Sequence, residues 1–106
     1  MQKDQKFFLD KIKKIIIEKN PSAKIYLYGS RARGTMKEES DWDLLILLNK
    51  PTITLEDERQ ITYPLYDLEF EEGEVISPII YSEAEWTTKH KITPFYASVM
   101  REGKLL

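Results

Sequence analysis

The sequence predicts a small α/β (α+β) fold: a mixed sheet of three to four strands with helices mainly on one face. Three observations carry that prediction. Short β-prone or apolar runs, at Lys24 to Tyr28, Leu44 to Leu48 and Val75 to Tyr81, alternate with stretches that repeat apolar residues at helical spacing. The resulting order, α-β-(short α)-β-α-β-α-α, is that of helices laid over a small sheet. At 106 residues, the chain is long enough for one modest core and too short for a catalytic domain plus a separate substrate domain. Residues 1–106 are therefore read as a single domain.

The first helix, from about Lys3 to Lys19, follows from Phe8, Ile12, Ile15 and Ile16 at helical spacing among lysines, and Asn20-Pro21 ends it. The run Lys24 to Tyr28 reads as a strand stopped by Gly29-Ser30, with a brief helical turn from Ser30 to Gly34. A polar loop, Thr35 to Ser40, leads into Asp41 to Leu48, whose nearly unbroken apolar character after the acids is that of a strand covered on both faces. Thr54 with Asp57 opens a second helix toward Phe70, in which Pro64 predicts a kink or a shortening. Gly73 precedes a third strand, Val75 to Tyr81, which Pro78 pushes to a sheet edge or a bulge. Ser82 to Glu85 is a capping-box pattern for a short helix, and Thr93-Pro94 starts the last helix, with Gly103 after its end.

Composition narrows the function classes. A net charge of −2 gives no strong electrostatic footprint for nucleic acid, so such contacts are expected only through a partner or a local patch such as Lys11, Lys13 and Lys14. The alternative reading of those lysines is a solvated helix face. Without cysteine there is neither a disulfide framework nor a thiolate metal site, and one histidine, His90, cannot build an imidazole cluster. His90 lies in a polar stretch and is expected to be exposed. No apolar run approaches the roughly 20 residues of a membrane span, and the lysine-rich start lacks a signal-peptide pattern, so the expected location is the cytoplasm.

Two short motifs carry chemistry. A glycine directly after a strand lets backbone donors approach a polyphosphate closely, because it has no Cβ; Gly29 fits, Ser30 adds a hydroxyl, and Arg31 and Arg33 add guanidinium groups. Asp41 and Asp43, two apart at a strand start, leave the same face with Cα atoms about 7 Å apart. Carboxylates held so can share magnesium and serve displacement at phosphorus. Trp42, between them, points to the core. Alone, a Gly-Ser turn equally suits a tight connection, and Asp-x-Asp a solvated strand end. Together they are more specific than either.

Tyr28-Gly29-Ser30-Arg31-Ala32-Arg33-Gly34, ten residues between Ser30 and Asp41, then Ser40-Asp41-Trp42-Asp43-Leu44, resembles the signature of the polymerase-beta-like nucleotidyltransferases, and within them the minimal nucleotidyltransferases. The resemblance implies that Gly29 and Ser30 hold the triphosphate of a nucleoside triphosphate, with Arg31 and Arg33 beside it. It implies that Asp41 and Asp43 bind Mg2+. The expected reaction moves a nucleoside monophosphate, AMP from ATP in the first instance, to a protein or small-molecule acceptor. Minimal members are commonly paired with a helical HEPN protein as its antitoxin, so such a partner is implied here; the oligomeric state is left open.

The chain departs from the family pattern at one place. Active members usually carry a third carboxylate on the later strand, and alignment of that strand puts Ser77 there. Glu74 is the nearest substitute, but it has the opposite strand parity and needs a bulge or a shifted register. Asp67 and Glu69 read as surface charge on the preceding helix. Two functions follow: a transferase, or a catalytically weak nucleotide- or partner-binding antitoxin module. A carboxylate from Glu74 facing the aspartates favours the first, and Ser77 in that position favours the second. An antibiotic-modifying enzyme is disfavoured, because those carry a further acceptor domain.

Overall fold

The computed structural model describes residues 5–35 and 40–106; the expected helix start near Lys3 and the middle of the loop between Thr35 and Ser40 lie outside the described residues. In chain order the elements are α1 (Gln5–Lys19), β1 (Lys24–Tyr28), the single turn α2 (Ser30–Arg33), β2 (Trp42–Leu48), α3 (Leu55–Glu72), β3 (Ile76–Ser82), α4 (Glu83–Trp86), a 3-10 turn at His90–Ile92, α5 (Pro94–Glu102) and β4 (Lys104–Leu105). The sheet runs β3-β2-β1-β4. β1 is antiparallel to β2 and to β4, and β2 is parallel to β3.

Strand β2 organises the core because its side chains alternate between two covered faces. Trp42, Leu44, Ile46 and Leu48 pack with Phe8, Ile12 and Ile16 of α1 and Ile61, Leu65 and Leu68 of α3. Leu45 and Leu47 turn the other way, onto Trp86 and Val99. Both long helices thus lie on one face, as expected, while α4 and α5 close the second face over β2. The apolar run demanded that second cover.

Helix α3 is not shortened at Pro64: it runs for 18 residues. An interior proline costs about 3 kcal/mol. Burial of Ile61, Leu65 and Leu68 contributes roughly 1.5–3 kcal/mol each, which outweighs it. The start is fixed by a capping box in which Thr54 Oγ1 accepts from the Asp57 amide at 3.1 Å and Asp57 Oδ2 accepts from the Thr54 amide at 2.9 Å. Pro78 lies in β3 at the sheet edge, as predicted. The Trp42 amide bonds the Val75 carbonyl at 2.9 Å, which in a parallel ladder turns the backbone groups of residue 78 outward, where no donor is needed.

Strand β4 carried no periodic signal, being two residues long, yet it seals the β1 edge, helped by the Leu106 amide on the Ile25 carbonyl at 2.8 Å. Gly103 follows the end of α5, as expected, with φ −69°. Its smallness matters, since a Cβ there would approach the Val99 carbonyl oxygen to 2.5 Å. His90 is not exposed but half-buried, its ring stacked on Tyr81 at 4.2 Å. On α1, Lys13 and Lys14 are exposed, and Lys11 reaches Glu72 at 3.1 Å.

Candidate functional site

The antiparallel pairing of β1 with β2 brings the two motifs together. Tyr28, the last residue of β1, is the register partner of Asp43, and Asp43 is in turn the partner of Ser77 on β3. One row across three strands therefore reads Tyr28, Asp43, Ser77. Gly29 then turns the chain sharply, with φ 76° and ψ −157°, into α2, and its carbonyl accepts from the Ala32 and Arg33 amides at 3.1 Å each. A side chain is excluded at Gly29 twice over. The φ disfavours L residues, and a Cβ would collide with Asp43 Oδ2 and lie 3.2 Å from its Cγ. The turn and the carboxylate are in direct contact, with Ser30 half-buried at the head of α2.

Asp41 is exposed just before β2, and Asp43 is half-buried within it. Burial pushes the Asp43 carboxyl above its ordinary value; the nearby charge of Asp41 pushes it the same way, and Arg33 opposes both. Tyr28 is driven up to about 12, first by burial, then by Asp43 and by Tyr81. A neutral phenol thus borders a strained pair of like charges. Two hard oxygen donors close enough for one charge to act on the other are of the kind that a hard divalent cation takes. The residues therefore fit Mg2+.

Arg33 belongs to this site electrostatically: it is half-exposed, it acts on Asp43, and Glu102 of α5 steadies its Nη1 at 3.4 Å. Arg31, expected beside it as a phosphate ligand, is turned inward. Only 7% exposed, it donates from Nε and Nη2 to the Ser40 carbonyl at 3.0 and 2.8 Å and lies 3.8 Å from the Trp42 ring centroid. Helical periodicity explains the difference: Arg31 and Arg33, two residues apart, leave opposite sides of a single helical turn. Trp42 is core, 1% exposed and packed 4.6 Å from Phe8.

Glu74 does not face the aspartates. Its Oε2 stands 3.9 Å from Arg31 Nη2, so neither the bulge nor the register shift it required is present, and β3 pairs in unbroken register from Ile76 to Ser82. Ser77 holds the facing position and donates its hydroxyl to Asp41 Oδ2 at 3.2 Å. Glu69 is more than surface charge: its Oε2 accepts the Ile76 amide at 2.8 Å and so anchors the start of β3. Among the described residues, no three Asp, Glu, His or Cys side chains gather as a metal cluster. A groove of about 520 Å³ lined by Asn49, Lys50, Pro51, Glu83, Ala84 and Thr87 holds none of these site residues. Sequence reasoning missed Tyr28, whose pairing with Asp43 becomes visible only once the β1–β2 register is known.

A glycine turn thus presses against the Asp43 carboxylate at one end of a mixed sheet with helices on both faces, an α/β architecture. Residues 9–101 match the nucleotidyltransferase domain family, and the chain belongs to it; it is a nucleotidyltransferase. Its fold is similar to that of a chain in a toxin–antitoxin crystal structure with AMP-PNP: 19% identity, TM-score 0.62, covering 96% of this chain and 72% of that one. A mutant MntA–HpeT toxin–antitoxin structure matches at 21% identity and TM-score 0.61, covering 92% and 70%. A further mutant of the same pair matches at 20% identity and TM-score 0.61, covering 91% and 69%. No curated protein matches significantly. Among the described residues, no helix is long and apolar enough to cross a membrane.

Proposed function

We propose that this nucleotidyltransferase binds Mg2+ and ATP and transfers AMP to an acceptor hydroxyl on a partner protein, acting as the antitoxin of a toxin–antitoxin pair. The observation that carries the reading is the contact between Gly29 and Asp43, which joins a polyphosphate turn to the Asp41/Asp43 pair. The AMP-PNP and toxin–antitoxin neighbours support the nucleotide and the partner, and the resemblance to minimal nucleotidyltransferases supports a HEPN-type helical protein in that role. In this reading Asp41 and Asp43 hold the ion, which when bound neutralises charge on the triphosphate. Ser30 and the α2 turn take phosphate oxygens, and Arg33 adds positive charge beside them. In the transfer, the acceptor oxygen bonds to the α-phosphorus, the bond to the bridging oxygen breaks, pyrophosphate leaves, and the acceptor proton passes to water.

The Ser77–Asp41 hydrogen bond favours a second reading. If no carboxylate takes the acceptor proton at the position Ser77 holds, the chemical step loses more than nucleotide binding does. The chain would then act as a metal–nucleotide binding module that restrains its partner by contact.

One experiment separates the readings. The chain is co-expressed with the product of its neighbouring gene, purified with it, and incubated with α-labelled ATP and Mg2+ beside an Asp43→Asn control. Label on the partner, absent in the control, supports transfer. Tight AMP-PNP binding with no label supports the binding module, and neither label nor binding in the wild type sinks both.

A further inference from the structure

We propose that Arg31 is a positioning residue that fixes Asp41 by gripping the chain on both sides of it; this rests on the two-aspartate reading of the site above. The Arg31 guanidinium closes a fork on the carbonyl of Ser40, the residue before Asp41, and lies against the ring of Trp42, the residue after it. Asp41 itself is exposed and precedes the first residue of β2. The ladder alone therefore does not hold it. The Ser40 carbonyl is held by Arg31 and the Asp41 carboxylate by Ser77, so the residue is restrained at its backbone and at its tip.

The chemistry of the guanidinium suits this geometry. A nearly buried cation is expensive unless closely paired, and an apolar side chain of similar volume usually serves packing as well or better. Glu74 Oε2 stands 3.9 Å from Nη2, and two short bonds go to a backbone carbonyl, at 3.0 and 2.8 Å. A planar fork can meet one carbonyl with two donors while stacking on an indole; an ammonium cannot. Arg31 also starts from the turn that follows Gly29. The same residue thus ties the glycine turn to the first aspartate, across the spacer that separates them in sequence.

The test compares wild type with Arg31→Lys, Arg31→Met and Arg31→Met/Glu74→Gln, the last removing the carboxylate left behind. Amide hydrogen exchange is followed along β2, and Mn2+ binding is measured by titration in the presence of ATP. Expected is a rise of about tenfold or more in exchange at Asp41 to Asp43 with Leu45 to Leu47 unchanged. Mn2+ affinity is expected to fall about tenfold, as for groups that orient metal ligands, with Lys intermediate. A uniform rise along β2, wild-type exchange at Asp41 to Asp43, or unchanged Mn2+ affinity despite local opening overturns the proposal. Unfolding of all three variants overturns it too, by assigning Arg31 to stability alone. If the wild type binds no Mn2+ with ATP but local opening appears, the positioning role stands and the nucleotide reading fails.

Discussion

Ser77 donates its hydroxyl to Asp41 Oδ2 at 3.2 Å while standing opposite Asp43 in the strand ladder. A neutral donor here eases the repulsion between the two aspartates without adding a third negative charge. It makes the ion-free site more tolerable, and a serine hydroxyl is a far weaker proton acceptor than a carboxylate at the same position would be.

Replacing that serine by aspartate is therefore expected to change sign with the ion. In Ser77→Asp, a third carboxylate joins Asp41 and Asp43, so the metal-free melting temperature falls by a few degrees, and the gain on adding Mg2+ exceeds that of the wild type. Transfer of label from ATP rises about tenfold or more, within the range ascribed to general bases. Melting scans with and without Mg2+, beside the labelling assay, check both halves.

Asp43 gives a pH dependence whose sign is fixed by its raised native value. The folded state holds the Asp43 proton more tightly than the unfolded chain does, so the stability this group contributes is full below its unfolded value of 3.8 and is lost as pH rises through the higher native value. Asp43→Asn escapes the loss. The variant should be more stable than metal-free wild type at neutral pH, by a few degrees in melting temperature, and the difference should shrink in acid. Urea unfolding at a series of pH values reads it.

Gly29→Ala is expected to be far more damaging than its one methyl suggests. The positive φ alone costs about 1–3 kcal/mol. The methyl must also displace Asp43, so AMP-PNP binding should fall along with stability. Urea midpoints together with nucleotide titration check the pairing, and a variant that loses stability but keeps full affinity would contradict it.

Tyr28 should ionise only in strong alkali. Its phenol, pushed to about 12, stays neutral until well above the ordinary 10.0. Removing the Asp43 charge in Asp43→Asn should lower it, though not fully, because burial is the larger cause. An alkaline titration followed by phenolate absorbance, with Tyr28→Phe to assign the transition, measures this. The same neutrality predicts that Tyr28→Phe leaves the neutral-range pH profile of nucleotide binding unchanged.

Much of this molecule could be read from its residues, and the exceptions have physical causes. The apolar run after Asp43 announced a strand covered on both faces, and the helical spacing of Phe8, Ile12, Ile15 and Ile16 announced α1. Thr54 and Asp57 marked the start of α3 because a capping box is local chemistry. Strand β4 was invisible because two residues have no period and their pairing with β1 is a tertiary event. The candidate site could be proposed as a set of residues but not as directions. Arg31 and Arg33 are chemically alike in sequence, and only the orientation of a single turn sends one inward to Ser40 and the other toward Asp43. Likewise, Glu74 and Ser77 could be ranked by strand parity, but the absence of a bulge in β3 decided between them.

The pairing of Tyr28 with Asp43 implies something about how such a site can vary. Because backbone rungs between neighbouring strands set the distance from the glycine turn to the aspartates, the segment that links them does not have to act as a ruler. Residues could be inserted or deleted between Thr35 and Ser40 with the two halves still meeting, so long as the last of them arrives under the grip of Arg31. That makes the linking segment a place where a lineage can build or discard acceptor contacts while the chemistry beneath stays in register.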